Sequence, residues 1–214
     1  MITFYSTQSS GNSYKVRLLL ARIGLPFRLV DVDIFAGEHR TPEFLARNPE
    51  GRVPLIEFED GTTLTESNAI LFYLGEDTDL LPTERLKRAE TLRWMFFEQN
   101  SHEHGIAQAR FWLKQVRGGR ELRTHDIDCW MEEGDRALRI MERHLAGRRF
   151  FVGDSLTLAD LALYPHTHVA PEGDFDLTPF PFIRAWLDRV ECEPGHVDMA
   201  WRPDSASTDL STDA

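Results

Sequence analysis

Cysteine is scarce in this 214-residue sequence. The two present, Cys129 and Cys192, lie far apart and form no C-x-x-C pair, which excludes a zinc ribbon and a dithiol redox site. They are expected to be buried or idle thiols. Basic charge is also in deficit: 24 Lys and Arg stand against 35 Asp and Glu, a formal net charge of -11. Nucleic acid or an anionic membrane would want a basic face, so neither is expected as a main partner. No apolar run is long enough for a membrane span. The Met1 to Tyr5 start runs into polar residues without the basic region and apolar stretch of a signal peptide, so a cytoplasmic location is expected. His102 and His104 form an H-x-H pair without an evident third ligand; a solvated or pocket-lining role suits them better, and no metal is expected.

What the chain does have is enough apolar content, 42%, to fill real cores. Its first third alternates between periodicities. Ile2 to Tyr5 reads as a strand. Ser13 to Ile23 carries Val16, Leu19, Leu20 and Ile23 on one helical face and stops at Gly24, and Phe27 to Ile34 alternates as a second strand. Such a β-α-β unit implies a parallel pair with a right-handed crossover. Thr41-Pro42 opens a short helix in the favoured cap and first-turn order. From Glu84 onward helical spacing dominates: Arg85 to Val116 stops at Gly118-Gly119, Asp126 to Leu145 stops at Gly147, and a last pair covers about Leu158 to His168 and Phe182 to Cys192. The expected layout is a first domain over 1–80, a linker over 81–86, an all-helical domain over 87–201 and a small, polar, acidic tail over 202–214 that is expected to be disordered.

Within the first domain lies the most informative stretch, Glu50-Gly51-Arg52-Val53-Pro54 followed by Asp60-Gly61 and Glu66-Ser67. Asp-Gly is a strong hairpin signal, so Leu55 to Glu59 and Thr62 to Thr65 read as paired strands. Proline cannot donate to a ladder and belongs at a strand start or edge. A cis bond before Pro54 would turn the Val53 N–H and C=O outward, ready to pair with an extended ligand as an added strand would. Glu66 and Ser67 open a helix, and backbone N–H groups with a hydroxyl at such a start suit a carboxylate. The same residues also fit an ordinary hairpin and capped helix. A second local device is Leu156-Thr157-Leu158-Ala159-Asp160-Leu161: Thr157 and Asp160 suit a capping box and Leu156 with Leu161 a hydrophobic staple, a folding feature rather than a binding one.

A first half of order β-α-β-α-β-β-α, Val-Pro before its hairpin, Glu-Ser at the next helix, a helical second half and Thr-Leu-Ala-Asp together resemble the cytosolic glutathione transferases. Among them the chain is similar to bacterial, theta- or nu-like members with a serine or asparagine active site. Tyr14-Lys15-Val16-Arg17-Leu18-Leu19-Leu20, Pro42 to Pro54 and Phe151-Val152-Gly153-Asp154-Ser155 support the resemblance, which covers about residues 1 to 195. The fold it implies is an N-terminal thioredoxin-like α/β domain followed by an all-α domain. It further implies glutathione as co-substrate, a small hydrophobic electrophile and a homodimer.

The resemblance also implies site residues. Val53, with Pro54, matches the position whose backbone holds the cysteinyl part of glutathione. Glu66 and Ser67 match the pair that holds the γ-glutamyl group, Ser67 and its N–H taking the carboxylate and Glu66 balancing the amino group. His39 and Arg52 are candidates for the glycyl carboxylate, an idle exposed histidine being the alternative for His39. The thiol-activating position falls on Ser10, with Asn12 where some bacterial members similar to a glutathione-disulfide reductase keep an asparagine; Ser9 and Tyr5 compete, and Ser10 or Asn12 also suits a plain helix cap. His104 and Phe111, two turns apart on one expected helix face, are candidates for the electrophile pocket.

The magnitudes fit. A thiol of pKa ~8.5 must fall by about two units to be mostly thiolate at neutral pH, roughly 2.7 kcal/mol. One donor to a charged sulfur contributes roughly 1.5 to 3 kcal/mol, and a helix N-terminus about 0.3 to 1. The resemblance implies a transferase with a role in detoxification. A glutathione-dependent disulfide reductase and a non-catalytic binding module are the alternatives, since fold does not dictate function.

Overall fold

The computed structural model describes residues 1–203, which form two units: Met1–Leu74 together with the segment from Gly195, and Gly75–Pro194. The first unit runs β1 (Ile2–Ser6), α1 (Gly11–Ile23), β2 (Phe27–Asp31), α2 (Pro42–Arg47), β3 (Leu55–Glu57), β4 (Thr63–Thr65) and α3 (Ser67–Gly75). Its sheet has the order β2-β1-β3-β4. β1 and β2 are parallel, with Ile2 opposite Phe27, while β3 is antiparallel to β1 and to β4, with Phe4 opposite Ile56 and Ile56 opposite Leu64. This is the thioredoxin-like β-α-β-α-β-β-α order, and the β-α-β crossover expected from the periodicity is present.

Strand alternation decides what each face of the sheet buries. Phe4 and Ile56 point to one side, where Phe27, Val16 and Leu20 of α1 and Ile70 of α3 complete a core. Tyr5 and Leu55 point to the other, where Phe44 of α2 and Val32 close a smaller one. The elements end where local chemistry ends them. Gly24 takes a left-handed φ of 64° and its N–H caps Leu20 and Ala21, as a C-terminal glycine does. β3 stops two residues before its expected end because Phe58 to Thr62 form the hairpin loop, closed by the Phe58 N–H on the Thr62 carbonyl at 2.8 Å.

The second unit is helical: α4 (Arg85–Phe97), α5 (Glu103–Arg110), α6 (Gly119–Leu122), α7 (Thr124–Leu145), α8 (Leu158–Thr167) and α9 (Pro181–Glu191). The single helix expected over 85–116 carries two π-helical turns, at Glu98–His102 and Phe111–Gln115. In the first, the Glu103 N–H reaches the Glu98 carbonyl, so each turn holds one residue more than the 3.6 period anticipates. No helix among the described residues is long and apolar enough to cross a membrane.

The boundaries differ from those expected. Leu80 and Leu81 are buried, and the Leu80 carbonyl accepts the Leu158 N–H at 2.9 Å, so this stretch belongs with the helices rather than to a linker. The end of the expected helical domain returns to the first unit: Tyr14 donates to the Val197 carbonyl at 2.6 Å, Gln8 and Arg17 donate to Met199, and Trp201 packs on the Phe4 core. Arg202, assigned to the mobile tail, pairs with Asp31. The rest of that assignment, 204–214, lies outside the described residues. The buried Arg17 guanidinium, also bonded to Ser6 and Gln8, has its pKa lowered to about 10, chiefly by desolvation.

Thr157 and Asp160 form the expected capping box at the start of α8. The carboxylate does more than cap, since it also accepts the Phe151 N–H and the Trp186 indole N–H. α5 and α7 meet through glycine. A Cβ on Gly105 would lie 2.5 Å from the Gly134 nitrogen and 2.8 Å from the Trp130 carbonyl oxygen, both rigid backbone. Gly105→Ala is therefore expected to destabilise by about 1–3 kcal/mol through overpacking, outweighing a helix-propensity gain of about 1 kcal/mol. Denaturant unfolding measures this, and an unchanged midpoint would show that the helices can part at no cost.

Candidate functional site

The site residues expected from the first half are supplied by four segments of the first unit: the start of α1, the 3-10 turn Glu38–Arg40, the loop before β3 and the start of α3. At the first, Ser10 is the N-cap of α1, its Oγ accepting the Ser13 N–H at 3.2 Å. A hydroxyl has one proton and two lone pairs, and among the described residues no acceptor takes the Ser10 proton. Asn12 lies in the first turn. Its Oδ1 accepts the Ser67 hydroxyl at 3.2 Å, so the sulfur-side and carboxylate-side candidates are joined directly.

Ser67 begins α3 and is buried, 3% exposed. Glu66, just before it, is exposed and holds a left-handed φ of 69°, unusual for a residue with a Cβ and a feature that clusters at binding sites. Its carbonyl accepts the Ile70 N–H, so it caps α3 while its side chain faces solvent. Neither α1 nor α3 carries an acidic residue in its first turn. The dipole of α1 is thus not neutralised locally, a condition that favours anions there, whereas α3 has Glu66 immediately before it.

One member of the site escaped sequence reasoning. Lys15 is fully buried, and its Nζ lies 3.3 Å from the Ser67 Oγ. The available signal was its i,i+3 spacing from Asn12, which puts the two on one helix face. A lysine on an otherwise apolar helix reads as solvated by default, and only the packing of α3 against it shows otherwise.

The loop before β3 is built to hold its backbone still. Asn48, 3% exposed, donates to the Arg52 carbonyl at 2.8 Å and accepts the Glu50 N–H. Gly51 has a φ of 62° and faces the His39 carbonyl so closely that a Cβ would lie 2.7 Å from it. The Val53–Pro54 bond is cis, and Val53 itself makes no backbone hydrogen bond to another described residue outside the regular elements. That contact brings the His39 carbonyl against Gly51, the residue before Arg52. The Nδ1 of His39 is shielded from solvent and has no hydrogen-bond partner among the described residues. Arg52 is exposed, its nearest carboxylate being Glu50 at 4.0 Å.

Tyr5 is a weaker competitor for the thiol. It faces the Phe44 side of the sheet and donates to Glu57 at 2.7 Å, and burial, with that carboxylate second, raises its pKa. Its proton is already placed. In the helical unit, His104 is exposed, 3.6 Å from Glu133, and Phe111 is half-buried with its ring edge-on to Trp112; α5 spans the interval between the two, and the π-helical turn begins only at Phe111. Cys129 and Cys192 are exposed, so of the two expectations, buried or idle, burial does not hold. Among the described residues, Glu98, Glu103 and His166 bring three potential metal-ligand atoms within 4.8 Å of one another. Beside them His102 Nε2 meets the Thr167 hydroxyl at 2.9 Å, whose proton goes to Leu163.

Comparison with known proteins agrees with this architecture. Residues 1–76 match the model of the glutathione S-transferase N-terminal domain and residues 123–194 that of the C-terminal domain. A possible glutathione S-transferase from Rhodopseudomonas palustris superposes with a TM-score of 0.92 at 54% identity, over 95% of this chain and 91% of that one. A glutathione transferase family member from Pseudomonas fluorescens, solved with two glutathione bound, gives a TM-score of 0.79 at 29% identity, covering 91% of this chain and 89% of its own. Among curated proteins, a maleylacetoacetate isomerase of Rhizobium meliloti is 36% identical over 86% of this chain and 88% of its own length. The disulfide-bond oxidoreductase YfcG of Escherichia coli is 28% identical over 86% and 87%. With both halves matched in order by domains of one family, the chain belongs to the glutathione S-transferases.

Proposed function

We propose that the chain binds glutathione in the first unit and activates its thiol for attack on a small hydrophobic electrophile. The observation that carries this is the hydrogen-bonded link from Asn12 to Ser67, which ties a thiol-stabilising helix start to a carboxylate-binding one. The backbone of Val53 pairs with the cysteinyl residue. The Ser67 N–H and the α3 dipole hold the γ-glutamyl carboxylate, Glu66 balances the amino group, and His39 with Arg52 meets the glycyl end. This fixes the direction of the tripeptide and leaves its sulfur at the start of α1. There Ser10 donates its uncommitted proton to the thiolate and the Asn12 amide assists. The thiol proton leaves to solvent, the sulfur forms a bond to the electrophilic carbon, and the leaving group departs with its electron pair. No general base is needed, because hydrogen bonds to the charged form alone lower the pKa.

His104 and Phe111 are assigned to the electrophile pocket, and the active species to a cytoplasmic homodimer. Ser10→Ala is expected to weaken the ultraviolet thiolate band of bound glutathione and to cut conjugation about tenfold or more, the loss of one charge-assisted hydrogen bond. Retention of both would remove Ser10 from the mechanism. A second reading, glutathione-dependent disulfide reduction, is favoured by Asn12, by the lack of a cysteine near α1 and by the similarity to YfcG. Turnover of a chloronitrobenzene-type electrophile against that of a small disulfide separates the two. Failure to bind glutathione at millimolar concentration would leave only a binding module for other partners.

A further inference from the structure

We infer that Lys15 is a positioning residue for thiol activation, acting through Ser67 to orient the Asn12 amide. The inference rests on the glutathione-binding reading above and deepens it. Lys15 is buried to 0% exposure with its Nζ 3.3 Å from Ser67 Oγ. An ammonium can only donate, so in this pair the Ser67 oxygen must accept. Its single proton then goes to the other partner, Asn12 Oδ1, at 3.2 Å.

The chain of donors therefore has one direction, from Lys15 to Ser67 to Asn12. Because the Asn12 carbonyl is committed to Ser67, the amide presents N–H groups, not its oxygen, on its opposite side. That choice matters for chemistry. A carbonyl oxygen turned toward a thiolate would repel it, whereas an amide N–H stabilises it. Without the cation, the Ser67 hydroxyl could reverse, accept from Asn12 and let the amide turn over. Other ionisable groups on α1 and α3 do not compete for Ser67: Tyr14 is bonded to Val197 and Arg17 to Ser6 and Gln8, while Arg22 and Tyr73 lie at the far ends of their helices.

The direction of this chain also refines the γ-glutamyl contact. With the Ser67 proton given to Asn12, the ligand carboxylate is met by the backbone N–H of Ser67 and the field of the buried ammonium rather than by the hydroxyl.

The test is the thiol pKa of bound glutathione, read from the pH dependence of the thiolate band and of kcat/KM, in the wild type, Lys15→Met, Ser67→Ala, Asn12→Ala and the double variant Lys15→Met with Asn12→Ala. Lys15→Met is expected to raise that pKa by about one unit, the size of one charge-assisted hydrogen bond. Lys15→Arg, which can still donate to Ser67, is expected to restore part of the shift. In the Asn12→Ala background the lysine substitution should add nothing further, because the interaction it serves is already gone. Additive shifts would overturn the inference, since Lys15 would then act independently of Asn12. Should Lys15→Met not fold, Ser67→Ala breaks the same chain while leaving the charge in place. An unshifted thiol pKa in Ser67→Ala would equally overturn it. If the wild type itself does not lower the glutathione pKa, the proposed function fails; if it does and the variants leave it lowered, only the role of Lys15 fails.

Discussion

Replacing Asp160 with alanine is expected to cost about 3–5 kcal/mol of stability, the range for uncovering buried partners of a charge, with a fall in melting temperature on the order of 10 °C for a chain of this size. The side chain is fully buried and both its oxygens are used twice. Oδ1 accepts the Phe151 N–H at 3.0 Å and the Trp186 indole N–H at 2.9 Å. Oδ2 accepts the Thr157 N–H and the Thr157 hydroxyl, both at 2.9 Å. Burial pushes the carboxyl pKa up against the pull of these four donors. Loss of an ordinary helix cap costs about 1 kcal/mol, but here the carboxylate also fixes the loop at Phe151 and the ring of Trp186, whose donors would be stranded without solvent. Thr157→Ala, which removes only one of the four donors, should cost far less. Denaturant unfolding of the two variants checks the ratio; equal penalties would mean that Asp160 is merely a cap.

Asn12→Asp is expected to lower kcat/KM for conjugation by roughly 100- to 1000-fold, comparable to removing a donor from an oxyanion hole, with little change in melting temperature. The substitution keeps the size of the side chain and an oxygen able to accept the Ser67 hydroxyl, so the link between α1 and α3 survives. Under the proposed mechanism the group turned toward the sulfur changes: an N–H donor becomes a carboxylate oxygen, which raises the thiol pKa by repulsion and by the lost hydrogen bond. Asn12→Ala should lose less, since it removes the donor without adding a charge. Steady-state kinetics across pH checks both. Activity of Asn12→Asp above about a tenth of wild type would show that Asn12 positions its neighbours without touching the thiolate.

Much of the first unit was legible because its signals are local. Gly24 ends α1 where a left-handed residue is needed, Thr41-Pro42 opens α2 with the Thr41 hydroxyl accepting the Phe44 N–H, and Asp60-Gly61 marks the hairpin through the Asp60 side chain and the φ of 82° at Gly61. The helical unit was legible in its helix positions but not in its turns. A π-helical turn depends on what packs against the helix, not on the residues within it, and Glu98 and His102, both buried, look like surface residues in sequence. Boundaries failed for the same reason: Leu80 and Leu81 read as the end of a domain until Leu158 is seen to donate to Leu80.

By itself the sequence determined the α/β order of the first half, the helices of the second, the capping devices and the short motifs at Val53-Pro54 and Glu66-Ser67, all of which depend on residues within a few positions of one another. Only the tertiary structure decided that Lys15 lies without solvent beside Ser67, that the Ser67 hydroxyl donates to Asn12 Oδ1 across 55 residues, that Tyr5 is held by Glu57, and that the segment from Gly195 returns to the first unit. The reason is physical. Burial and hydrogen-bond direction are properties of the partner a residue meets, and for these residues the partner lies far along the chain.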